Sequence, residues 1–255
     1  MRLIAALLCA AVLAAGEPSL VVDRGVLHAA DLEILGFRLN DVSTEPRMAE
    51  RIVRFEQVSA QAYGGVVTGW VEIDLDPGRA EYRGDLTVTG VDLAVLLRAH
   101  GLGGEAVGGI LDGRFAFRMP ANRPQAITGQ GSLTIREGTL IQLSVLANVL
   151  VGDPNQARGR DRASATVAVA AGRIQVQQAR IHSPVGLIAL RGTMGIDGSL
   201  DLAASSRPRG GVFRPIPLVG DVAVWATAKL ARYAIRGTLA SPELRLNPFG
   251  DDLGL

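Results

Sequence analysis

The feature that most constrains this chain is an alternation of apolar and polar residues from Ala163 to Ser205, carried through Ala165 to Ala170, Arg173 to His182 and Gly186 to Ala204. A period of two sends successive side chains to opposite faces of a strand, whereas a helix repeats every ~3.6 residues, so the stretch specifies sheet. Within its last part Ile188, Leu190, Met194 and Ile196 share one side, and Leu200, Leu202 and Ala204 follow the Asp197-Gly198 turn on the same parity. One face is therefore apolar. The usual two-residue type I′ loop at Asp-Gly would set Ile196 opposite Ser199 and misalign the apolar sets. A three-residue loop, Asp197 to Ser199, sets Ile196 opposite Leu200 and is the expected connection.

The first sixteen residues stand apart from the fold. Arg2 precedes an uncharged apolar run from Leu3 to Ala15, and Ala14-Ala15-Gly16 offers small residues before Glu17, the pattern of a secretory signal. The run is short for a membrane span, which needs roughly 17 to 25 residues; an uncleaved anchor is the alternative. Cys9 has Leu7-Leu8 before it, which does not suit a lipidation site, and its removal with the signal would leave no thiol chemistry. The near balance of 26 basic and 25 acidic residues argues against a nucleic-acid partner, which draws a clustered basic excess. Apolar content of 48% with only 4% aromatic, punctuated by 31 glycines, favours many strands and tight turns.

Taken in order, residues 17–50 give N-terminal strands and a loop at Ser43-Thr44-Glu45-Pro46, with a helical turn over Arg47 to Arg51. From Ile52 to Tyr63 a strand is expected, and the change of parity between Val53, Phe55 and Val58, Ala60, Ala62 calls for a bulge near Glu56-Gln57. A repeat follows. Gly65-Val66-Val67-Thr68-Gly69 resembles Gly109-Ile110-Leu111-Asp112-Gly113, and Gly84-Asp85-Leu86-Thr87-Val88 resembles Gly131-Ser132-Leu133-Thr134-Ile135. Each copy leads to a leucine-rich helical stretch, Asp92 to His100 and Leu140 to Val151. Units of this size bury their faces by packing on one another. A last helix is expected over Pro217 to Ala231, with Val219, Val222, Ala223, Ala226 and Leu230 on one side and Trp225, Lys229 and Arg232 on the other. Such a face suits a membrane interface or a partner, or simply a sheet.

The chain offers little for catalysis. His28, His100 and His182 lack metal-ligand spacing, no serine sits in G-x-S-x-G, and Gly101-Leu102-Gly103-Gly104 does not open a helix after a strand as a phosphate cradle would. Glu72, Asp74 and Asp76 fall on one face of a strand, where they can serve as acid and base or merely as a solvated face opposite Val71, Ile73 and Leu75.

The runs from Tyr63 to Gly69, Leu86 to Leu97 and Gly131 to Leu140 resemble the C-terminal region of AsmA-like envelope proteins. So does the ending, in which Ile188-Ala189-Leu190-Arg191-Gly192, Asp197 to Leu202, Pro217-Leu218-Val219-Gly220 and Arg236-Gly237-Thr238-Leu239-Ala240-Ser241-Pro242 keep the order of that family's closing hairpin, helix and strand. The resemblance covers roughly residues 51–246 and implies a long β-rich groove, a bacterial envelope location, and a role in outer-membrane biogenesis and phospholipid movement without catalytic residues. This chain is far shorter than the large bridging members.

The expectation is a mainly β protein, an extended, curved antiparallel sheet of repeated hairpins forming a groove, with a few short α-helices at its face or ends. Its parts are a signal at 1–16, N-terminal strands at 17–50, the β-rich domain at 51–246 and a tail at 247–255. The expected role is non-enzymatic, exported to the periplasm or cell envelope, with no cofactor or metal. Ile188, Leu190, Met194, Leu200 and Leu202 are the candidate contacts for phospholipid or another acyl lipid, although an ordinary core accounts for them equally. The alternative partner is another envelope protein, bound at a sheet edge or on the terminal helix.

Overall fold

The computed structural model describes residues 20–34, 37–76, 78–101, 108–140, 161–184, 186–195, 197–208, 231–238, 241–247, 250 and 253. Among these the chain is mainly β. The strands are β1 (Leu20–Asp23), β2 (Val26–Ile34), β3 (Phe37–Ala49), β4 (Ile52–Ala62), β5 (Gly65–Asp74), β6 (Glu81–Asp92), β7 (Ile110–Pro120), β8 (Thr128–Gly138), β9 (Asp161–Ala170), β10 (Arg173–Ser183), β11 (Gly186–Gly195), β12 (Ser199–Pro208), β13 (Ala231–Thr238) and β14 (Pro242–Leu246). One α-helix, α1 (Leu93–Ala99), and a 3-10 turn at Pro124–Ala126 accompany them. Strand order in the sheet is sequence order from β1 to β14, and the pairs from β1 to β6 and from β10 to β14 run antiparallel. The second repeat's helix, placed at Leu140 to Val151, and the terminal helix at Pro217 to Ala231 lie outside the described residues apart from Leu140 and Ala231.

The chain falls into two compact units: Met1–Gly101 with Leu111–Ser132 and Ala168–Gly172, and Leu102–Ile110 with Leu133–Val167 and Arg173–Leu255. Glu50 and Arg51 form the tight turn of the β3–β4 hairpin, where Ala49 pairs with Ile52. The expected loop at Ser43 to Pro46 and helical turn at Arg47 to Arg51 are replaced by strand, since β3 runs unbroken to Ala49. Proline is tolerated at position 46 because Thr44 already pairs with Leu27, so the residues beyond run past the start of β2. Without a β2 partner, the missing N–H breaks no ladder.

In the first unit the two faces differ sharply. Leu27, Val53, Phe55, Ile73, Tyr82 and Met119 form a buried cluster, with Met48, Val71 and Phe117 packed against it. On the other face, Arg54 pairs with Glu56 and Glu72, Arg51 with Asp74 and Asp76, Arg83 and Arg118 with Glu81, and Arg114 with Asp85. Arg54 also lies over the Trp70 ring at 4.7 Å. The bulge expected at Glu56-Gln57 is present as a register shift between Phe55 and Val58, with Gln57 at a φ of 50°. It keeps Ala60 and Ala62 on the apolar side after the parity changes.

Candidate functional site

The second unit places the apolar residues read from the sequence side by side. Register carries one face across five strands: Ile174, Met194 and Leu200 align, then Val176, Gly192, Leu202, Ile235 and Leu244, then Ala179, Leu190, Ala204, Tyr233 and Leu246, and last Ile181, Ile188 and Ser206. No charged side chain stands on this face among the described residues of β10 to β14. The opposite face carries Arg191, Asp201, Arg207, Arg236, Glu243 and Arg245, with Arg236 on Asp201 at 3.6 Å and Arg245 on Glu243 at 3.3 Å. Burial is graded along the strands. Ile188 is 0% exposed and Ile181, Ala204, Tyr233 and Ile235 are buried, whereas Leu190, Met194, Leu200 and Leu202 are half-buried and Leu246 is exposed.

Of the five candidate lining residues, then, Ile188 is core and the other four form a partly open continuation of the same face. The hairpin that sets them differs from expectation. Met194, and not Ile196, pairs with Leu200; β11 ends at Gly195 and β12 begins at Ser199, so the connection has the expected three residues but at 196–198 instead of 197–199. The Asp197 carboxylate accepts from the Ser199 N–H at 3.0 Å and from the Ser199 hydroxyl at 2.7 Å, and the Gly198 N–H donates to the Gly195 carbonyl at 3.0 Å. These local bonds hold the turn and pull the Asp197 carboxyl below its usual range, first through the Ser199 N–H. Parity is unaffected, since even residues still meet even residues.

Trp225 and Lys229 lie outside the described residues. Arg232 does not belong to the polar side of a helix as expected: it sits in β13, opposite Ser205 and half-buried. The strand begins at Ala231 because its residues complete the ladder on β12. Sequence reasoning left out Ile174, Val176, Tyr233, Ile235 and Leu244, whose membership of the face depends on register between strands and not on the pattern within one. Burial raises the Tyr233 phenol pKa, against the opposing effect of a hydrogen bond with Ser206.

Glu72, Asp74 and Asp76 do share a face, but each is drawn to an arginine, Arg54 or Arg51, instead of toward a cleft. His182 is an exposed strand residue opposite Leu187, and His100 ends α1 against Phe37 and Tyr63. Fully buried Asp161 accepts from the Leu140 N–H at 2.8 Å, a structural tie at the start of β9. Among the described residues no three His, Cys, Asp or Glu side chains gather to hold a metal ion, and no helix is long and apolar enough to cross a membrane. No protein-family model, curated protein or solved structure matches this chain.

Proposed function

We propose that this protein acts by contact and not by catalysis, its uncharged sheet face accepting the acyl chains of a lipid during envelope assembly or lipid handling. The observation that carries this reading is the five-strand face of β10 to β14, free of charge among its described residues and only half-buried at Leu190, Met194, Leu200 and Leu202. Four inter-strand spacings give it a width of about 19 Å, and the four residue steps of its open part from Leu190 to Met194 give a length of about 14 Å. One leaflet of a bilayer core is about 15 Å deep, so an extended acyl chain fits along the strands. Each methylene it removes from water contributes about 0.8 kcal/mol.

The resemblance to AsmA-like envelope proteins agrees with this role, and an N-terminal secretory signal would deliver the chain to the periplasm. Native mass spectrometry of protein purified from a bacterial envelope tests the reading. Co-purifying phospholipid, released by denaturation, is the expected result. Protein that is repeatedly lipid-free under gentle extraction would remove the basis for it.

A further inference from the structure

We infer that α1 is a strap that shuts the hairpin-tip end of the apolar face in the first unit, latched there by Tyr63 and His100. The strands β3, β5 and the end of β6 all reach this end, next to the β4–β5 turn at Tyr63-Gly64. β6 bends at Gly90 (φ +72°), two residues before its end, and a Cβ on Gly65 would lie 2.5 Å from the Val91 nitrogen, so the main chain passes directly across Gly65. The Asp92 N–H then donates to the Tyr63 carbonyl at 3.0 Å, while the Asp92 carboxylate caps the helix by accepting from the Ala94 and Val95 N–H groups. Seven residues of helix cover about 10 Å, about the span of two strand spacings. From the end of β6 the helix brings His100 to Tyr63 in the β4–β5 turn and to Phe37 at the start of β3.

The far end of the helix is fastened. His100 packs its ring on Phe37 at 4.8 Å between centroids, and its Nε2 lies 3.3 Å from the Tyr63 hydroxyl, which also accepts from the Arg38 N–H at 3.1 Å. Ala60, Ala62, Val67 and Val91 near this end and Leu93 on the helix itself are all buried, although Phe37 remains 47% exposed. The polar chain from Arg38 through Tyr63 to His100 joins the helix end to the start of β3 and to the β4–β5 turn. The strap belongs to the first unit and is testable without lipid.

Hydrogen exchange on wild type, Tyr63→Phe, His100→Ala and the double variant tests the latch, with binding of an anilinonaphthalene sulfonate dye as a measure of uncovered apolar surface. Each single variant is expected to speed exchange of the α1 amides about five- to tenfold while β4 and β5 stay protected. The double variant is expected to match His100→Ala, because partners in one interaction are not additive. Dye fluorescence should rise with the exchange rate. Unchanged α1 exchange, additive effects, or faster exchange with no gain in dye binding would each overturn the strap. If His100→Ala does not fold, Tyr63→Phe, which removes one oxygen, decides alone. A lipid-free protein with a working latch would sink the proposed function and spare this inference; the converse result would do the opposite.

Discussion

Replacing Gly192 by alanine should destabilise the second unit more than any other single added methyl on β11. Gly192 has a φ of +143°, and a Cβ built there lies 2.3 Å from the Asp201 carbonyl oxygen and 2.8 Å from the Leu202 Cα. The backbone region is one that only glycine adopts freely, which costs another residue about 1 to 3 kcal/mol. The contact is with backbone, so relief requires β11 and β12 to part by about 1 Å, weakening one or two ladder hydrogen bonds worth about 1 kcal/mol each. Alanine lowers the entropy of the unfolded chain by about 0.4 to 1 kcal/mol, which opposes this. The net loss is about 2 to 4 kcal/mol. Gly25→Ala is the control, because Gly25 also has a positive φ, +88°, but a Cβ there meets nothing within 4 Å. It should lose about 1 kcal/mol. Urea unfolding followed by far-UV circular dichroism, with exchange on β11 and β12 to locate the loss, measures both. Equal effects for the two variants would show that crowding against Asp201 does not hold the register.

Two further outcomes follow from the same face. Leu202→Glu sets a carboxylate among half-buried apolar neighbours, and bringing an acyl chain over it costs more than the ~1.4 kcal/mol that equals a tenfold change. Lipid carried through purification should fall at least tenfold by mass spectrometry, while Arg191→Ala, on the opposite face, should leave it within about twofold. The Tyr233 phenol is held neutral by burial, so its folded pKa lies above the unfolded value of about 10. The stability it provides is complete below that pH and is lost as pH rises through the folded pKa. Unfolding titrations above pH ~10 should therefore show a steeper loss in wild type than in Tyr233→Phe; parallel curves would refute the assignment.

The fold class was legible because period two persists through segment after segment, and no helix pattern competes with it. The bulge at Gln57 was legible too, since only an extra residue lets Phe55 and Ala60 share a face. What escaped the sequence is what depends on a neighbour. Pro46 reads as a break, and becomes strand only because β2 begins too late to need its N–H. The Asp197 turn reads as Asp197 to Ser199, and sits one residue earlier because Ser199, bonded by the Asp197 carboxylate, already opens β12. His100 reads as an idle histidine, and its place against Phe37 exists only once the hairpin tips of β2–β3 and β4–β5 stand at the same end. Four of the five residues picked for the face share its half-open part, but the strands that widen it, β10, β13 and β14, required the register.

The repeat visible in the sequence is not the one that shapes the faces. The two G-x-x-x-G runs do begin equivalent strands, β5 and β7, yet the unusual backbone falls on the second glycine of one, Gly69, and on the first of the other, Gly109. A deeper correspondence joins β4, β5 and β6 to β10, β11 and β12. In each set the first strand carries a register shift, between Phe55 and Val58 or between Val176 and Ala179. In each, a glycine of the second strand, Gly69 at φ +149° or Gly192 at +143°, stands beside that shift and pairs with the leucine of an Asp-Leu in the third, Asp85-Leu86 or Asp201-Leu202. The shift flips parity in the first strand, from Val53 and Phe55 to Ala60 and Ala62, or from Ile174 and Val176 to Ala179 and Ile181, whereas the second strand keeps its own parity throughout. An extra residue on one strand twists the pair more strongly, and a glycine opposite lets the third strand's backbone approach where the twist is greatest. Both units thus hold one face apolar along these strands by the same local device.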